Sequence, residues 1–107
     1  MAISERLRKR IDALRVEYVK SFEDEAVGFQ AEMAARDRQG VARRAHRIGG
    51  TAGSYQLDAV CSAAQNVERL CESQDSKALA RGALELQINQ LCEALRAAQL
   101  LFSQADT

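Results

Sequence analysis

The sequence predicts an all-α fold, an antiparallel four-helix bundle with an additional or kinked N-terminal helical segment. Three observations carry that expectation. The 107 residues contain no proline, and the helix-favouring residues alanine, leucine, arginine, glutamate and glutamine are abundant. Apolar residues recur at steps of three or four along nearly the whole length. The polar stretches between these runs are short, which favours antiparallel neighbours.

The first run joins Ile3, Leu7, Ile11, Leu14, Tyr18, Phe22, Ala26, Phe29 and Met33 on one helical face. This run reads either as one helix of about 45 Å or as two segments with a break or kink near Ser21, where Ser21 would cap the second with Asp24 three residues on. The polar segment at residues 36–40, RDRQG, ends this element. Val41, Ala45, Ile48, Ala52 and Tyr55 mark the buried face of the next helix, and Gln56 to Asp58 reads as a turn. Leu57, Val60, Ala64, Val67 and Cys71 continue the pattern. Ser73 to Ser76 reads as a loop in which either serine can cap the last helix. That helix carries Leu84, Ile88, Leu91, Leu95, Ala98 and Phe102, flanked by Leu79 and Ala83, and residues 103–107 are expected to fray. A single domain spanning 1–107 is expected, with the N-terminal helix packed within a monomer ahead of the alternative, a coiled-coil dimer through that segment.

Formal net charge is zero, so bulk charge makes no case for nucleic acid or an anionic membrane. The charge is unevenly distributed. Residues 1–20 carry six basic and three acidic side chains, residues 21–38 two and five, and residues 39–55 three arginines and no acid. Cys61, Cys71 and Cys92 lack metal-ligand spacing and read as buried or half-buried thiols of a reducing compartment. No signal-peptide pattern and no apolar run of membrane-spanning length is present. A cytoplasmic location is expected, and the initial Met with its early helix fits a free-standing chain.

The chain has one histidine, His46, and half of its six glycines lie close behind it in RRAHRIGGTAGSY, residues 43–55. At about 100° per residue, Ile48 lies nearly opposite His46. Burial of Ala45, Ile48 and Ala52 therefore turns the imidazole outward. Gly49 and Gly50 share its face at i+3 and i+4, with Gly53 a turn further, and Arg43 stands at i−3. Each glycine costs a helix roughly 0.5–1 kcal/mol relative to alanine. Three readings account for them: open access for a partner, a tight helix crossing through Gly49 and Gly53, or an early helix end. Arg43, Arg44 and Arg47 either solvate the helix or supply the planar donor forks that suit phosphate. Neutral imidazole is a competent nucleophile near neutral pH. Exposed imidazole, cationic neighbours and bare backbone together make a coherent phosphoryl site.

The segment AHRIGGTAGSYQL, residues 45–57, resembles the signature of histidine-containing phosphotransfer (HPt) domains of multistep phosphorelays, roughly A-H-x-L-K-G-S-A-x-x-x-G-L. His46 falls on the phosphoacceptor, Ile48 on the buried leucine, Gly50 on the family glycine and Thr51 on the small hydroxyl residue. Ala52 and Leu57 match as well, and Ala35 to Asp37 resembles the turn before the active-site helix. Gly49 stands where the family commonly has lysine or arginine, and Gln56 where a second glycine is frequent.

The resemblance implies that His46 accepts a phosphoryl group from the aspartyl phosphate of a response-regulator receiver domain and passes it to another receiver. It implies no cofactor bound by this chain, Mg²⁺ in the receiver, and receiver domains as partners, with a hybrid histidine kinase as a further one. Arg43, Arg47, Gly49, Gly50 and Gly53 become candidates for phosphate or partner contact, with Arg43 or Arg47 substituting for the missing basic residue. Gln65 and Glu68 become candidates to orient the imidazole. No P-loop or kinase nucleotide motif is present, so an ATP-using kinase is not expected. The alternative is a noncatalytic helical adaptor or kinase-regulating bundle of degenerate HPt type.

Overall fold

The computed structural model describes residues 4–73 and 82–104, and these form helices joined by turns. In chain order they are α1 (Glu5–Val19), α2 (Phe22–Ala34), α3 (Arg38–Ser54), α4 (Asp58–Glu72) and α5 (Ala83–Gln104). The architecture is all-α, a four-helix core of α2 to α5 with α1 as an N-terminal addition. The Ser76 cap and Leu79 expected for the last connection, and residues 105–107, lie outside the described residues.

The helical stripes become the core. Val41, Ala45, Ile48 and Ala52 of α3 meet Val60, Ala64, Val67 and Cys71 of α4, with Leu57 at the turn. Ile88, Leu91, Cys92 and Leu95 of α5 close the bundle against Phe22, Ala26 and Phe29 of α2. The most extensive helix pair is α3 with α4, followed by α4 with α5 and α2 with α5. No charged or polar residue is buried in this core among the described residues.

The N-terminal stripe departs from the expectation. Its second half is buried, but Leu7 and Leu14 are 47% and 46% exposed, and Val19 is the only buried residue of α1. Among the described residues, the contacts that tie α1 to the bundle begin at Arg15. Its Nε donates to the Tyr55 carbonyl at 2.7 Å, its guanidinium sits over Phe102, and Tyr18 stacks on Phe22 and Tyr55. The break at residues 20 and 21 is present, yet Ser21 does not cap α2. Its hydroxyl turns back and donates to the Tyr18 carbonyl at 3.0 Å, closing α1 instead.

The turns on either side of α3 are built alike. After α2, the Asp37 N–H donates to the Glu32 carbonyl and the Arg36 N–H to that of Met33; after α3, Leu57 donates to Ala52 and Gln56 to Gly53. Both are Schellman closures, which require a left-handed residue after the helix. Arg36 (φ 57°) and Gln56 (φ 60°) fill that position without being glycine. Asp37 then starts α3, its Oδ1 accepting from the Gly40 N–H at 2.9 Å. Residues 38–40 of the expected RDRQG terminator thus belong to α3. Because left-handed backbone strains a residue with a Cβ by roughly 1–2 kcal/mol, Gln56→Gly should raise stability by about 1 kcal/mol. Chemical denaturation would measure this as a higher midpoint at unchanged slope.

Candidate functional site

His46 lies in the middle of α3, on the side away from Ile48, which is 1% exposed. Its side chain is 77% exposed, and Nδ1 stands 2.6 Å from Glu68 Oε2 of α4. An ionised carboxylate only accepts, so Nδ1 carries the hydrogen and donates it. In the neutral imidazole that tautomer has its lone pair on Nε2, the nitrogen not bonded to Glu68. The Glu68 carboxylate is itself 25% exposed. Gln65, one turn earlier on α4, is exposed and makes no bond to the imidazole among the described residues.

The three glycines separate into different roles. Gly49 is buried, and a Cβ placed on it would lie 3.5 Å from the Ala64 Cβ. A Cβ on Gly53 would lie 3.4 Å from Cys61 Sγ. Both therefore sit at the α3–α4 crossing, and Gly49 is not open surface beside the imidazole. Gly50 has nothing within 4 Å of where its Cβ would be. Gly50 and Gly53 are both exposed, Gly50 with open space around it and Gly53 beside Cys61. The reading of an early helix end is overturned, since α3 runs through all three glycines to Ser54.

The arginines also divide. Arg44 Nη1 meets Glu25 Oε1 and Arg44 Nε meets Glu32 Oε1, each at 2.6 Å. Arg47 Nη2 reaches both oxygens of the same Glu25, at 2.9 and 2.8 Å. Burial works against the Arg44 charge, but hydrogen bonding and charge from Glu32 and Glu25 outweigh it and hold its pKa above the usual arginine value. A Cβ on Gly28 would overlap this guanidinium, so the bare backbone of α2 makes room for it. Arg43 is exposed and makes no hydrogen bond or ion pair among the described residues. Of the arginines beside His46, it is the one left uncommitted.

Glu25 and Glu32 were not singled out from the sequence. Their spacing of seven, on a face that also carries Gly28, was the available signal. Among the described residues no group of three or more His, Cys, Asp or Glu is placed to hold a metal ion. The cysteines are free, and burial pushes the Cys71 and Cys92 thiols up, away from thiolate chemistry. No described helix is long and apolar enough to cross a membrane.

The structure thus presents an outward imidazole on a four-helix bundle, bonded to Glu68 through one ring nitrogen. A family model for the Hpt domain matches residues 5–98. The chain belongs to the Hpt domain family, and a general phosphorelay role follows. No curated protein and no solved structure matches it.

Bulk added at the two crossing glycines should act differently from bulk at Gly50. Gly49→Leu, at a buried position, should cost roughly 1–3 kcal/mol by overpacking, and Gly53→Leu, exposed beside Cys61, should cost less. Gly50→Leu should leave stability unchanged or slightly raised, because leucine outranks glycine in a helix. Parallel thermal or urea melts of the three variants would check the ordering.

Proposed function

We propose that this chain is a phosphorelay intermediate in which His46 takes a phosphoryl group from the aspartyl phosphate of a receiver domain and returns it to another. The observation that carries the reading is the Nδ1–Glu68 bond at 2.6 Å on an exposed imidazole. Nε2 attacks phosphorus in line, the Nε2–P bond forms, and the P–O bond to the aspartate breaks with its electrons returning to that carboxylate. The ring becomes cationic while Nδ1 keeps its hydrogen. The Glu68 carboxylate stabilises that cation and fixes which nitrogen reacts. Reversal delivers the group to a second receiver.

Mg²⁺ and the acidic pocket come from the receiver. Gly50 provides the open backbone over which the receiver approaches. Arg43 is the cation best placed to meet the phosphoryl group or the acidic rim, taking the part of the basic residue absent at Gly49. Arg47 contributes to the partner surface through its exposed edge while it remains bonded to Glu25. A cytoplasmic monomer that works without ATP chemistry of its own fits this role.

The absence of a basic side chain at Gly49 favours one second reading, a noncatalytic adaptor that binds receivers or kinases without carrying phosphate. Incubation with a panel of phosphorylated receivers and Mg²⁺ separates the two. Transfer predicts acid-labile phosphate on His46, lost in His46→Gln with the helical circular dichroism intact. An adaptor binds the same partners, takes no label and is indifferent to His46→Gln. Under the transfer reading, Glu68→Ala should slow acceptance by roughly 10²-fold, with Glu68→Gln partly restoring it as a neutral acceptor. Arg43→Ala should weaken transfer by roughly tenfold, mainly through partner affinity and with strong salt dependence. Gly50→Leu should block transfer in a folded protein.

A further inference from the structure

The first half of α1 carries an apolar stripe that the described structure covers only in part. Leu7 and Leu14 are about half exposed and Ile11 is half-buried. The long dimension of the molecule, 49 Å, exceeds the roughly 33 Å of a helix as long as α5. From Ser4 to Leu14 the projecting stretch runs about 15 Å at 1.5 Å per residue.

The stripe follows a heptad. Ser4, Ile11 and Tyr18 fall on a positions, and Leu7 and Leu14 on d. The positions that flank such a seam carry Arg8 and Arg15 on one side and Arg10 and Glu17 on the other. Arg15 is already engaged with Asp12 and the Tyr55 carbonyl. Arg8 and Arg10 are exposed and make no ion pair among the described residues. The projecting seam is therefore apolar along its centre and cationic on both edges.

That charge pattern selects the occupant. Two copies of α1 paired in parallel would set Arg10 against Arg15. Paired antiparallel over the projecting stretch, they would set Arg8 against Arg8 and Arg10 against Arg10. Like charges at these positions oppose association. A membrane surface fits less well: the seam is a narrow a/d stripe without Trp or Phe between residues 5 and 15, and Glu5 and Asp12 interrupt the cationic face. We infer that the projecting half of α1 is a docking face for an amphipathic partner helix whose apolar stripe is flanked by acidic residues. This face is separate from His46 and does not depend on the phosphotransfer reading.

The test uses the full chain and two synthetic heptad peptides, both with Ile at a and Leu at d. One carries Glu at e and g, the other Lys. Fluorescence anisotropy should show the Glu peptide binding roughly tenfold or more tighter than the Lys peptide. The double variant Leu7→Asp/Leu14→Asp should abolish binding while leaving the melting curve and the phosphate-accepting behaviour of His46 unchanged. Arg8→Glu/Arg10→Glu should reverse the preference towards the Lys peptide. The inference fails if neither peptide binds, if both bind equally, or if the charge reversal leaves the preference unaltered. It also fails if sedimentation velocity shows the chain forming its own dimer through Leu7 and Leu14. Leucine-dependent binding to phosphatidylserine vesicles in place of the Glu peptide would instead assign this face to a membrane surface.

Discussion

The site depends on how closely α3 approaches α4. At Gly49 and Gly53 an added Cβ would stand in ordinary contact with Ala64 and Cys61, so the two helices meet with room for only small side chains between them. Burial of Ile48, Ala52, Val60 and Val67 drives the crossing through the hydrophobic effect. Glu68 lies one turn beyond Ala64, so the same crossing carries its carboxylate to His46 Nδ1. A wider separation would leave the imidazole free to rotate, with either nitrogen able to hold the hydrogen.

Charge is distributed around this centre in two different ways. Arg44 and Arg47 are drawn towards α2 by Glu25 and Glu32, and these pairs fasten α2 to α3. Because Glu25 and Glu32 are mostly shielded from water, their bonds to Arg44 are screened less than surface ion pairs. Arg43 remains outward and uncommitted. A basic cluster that looks uniform along the chain therefore divides into a structural pair and an available cation. Within a phosphorelay the distinction matters, since a transient partner reads only the charges that are free to meet it.

Much of the architecture was legible in the sequence. The stripes of α3, α4 and α5 marked the residues that are buried, and the outward direction of His46 followed from Ile48 alone. Glu68 was legible only as one of two candidates. Gln65 and Glu68 are separated by a single turn, and choosing between them requires the register of α4 against α3. The left-handed residue Arg36 gave no signal, because glycine, the usual marker of that conformation, is absent there, and at Gln56 the hint was the glycine frequent at that place in the resembling family. Ser21 looked like a cap by residue type, yet its hydroxyl found a nearer acceptor in the preceding helix.

Helical periodicity is a property of the chain with itself, so composition and spacing were enough to give the helical class, the inward faces of α3, α4 and α5, and the outward side of His46. The tertiary structure decided everything that depends on the distance and rotation between helices. It buried Gly49 at a crossing, left Gly53 exposed beside Cys61 and Gly50 exposed to open space, brought Glu68 rather than Gln65 to the imidazole, and gave Arg44 and Arg47 their acidic partners. It also left Leu7 and Leu14 exposed. Their spacing matches that of Phe22, Ala26 and Phe29, but an apolar stripe is buried only where another helix extends far enough to cover it.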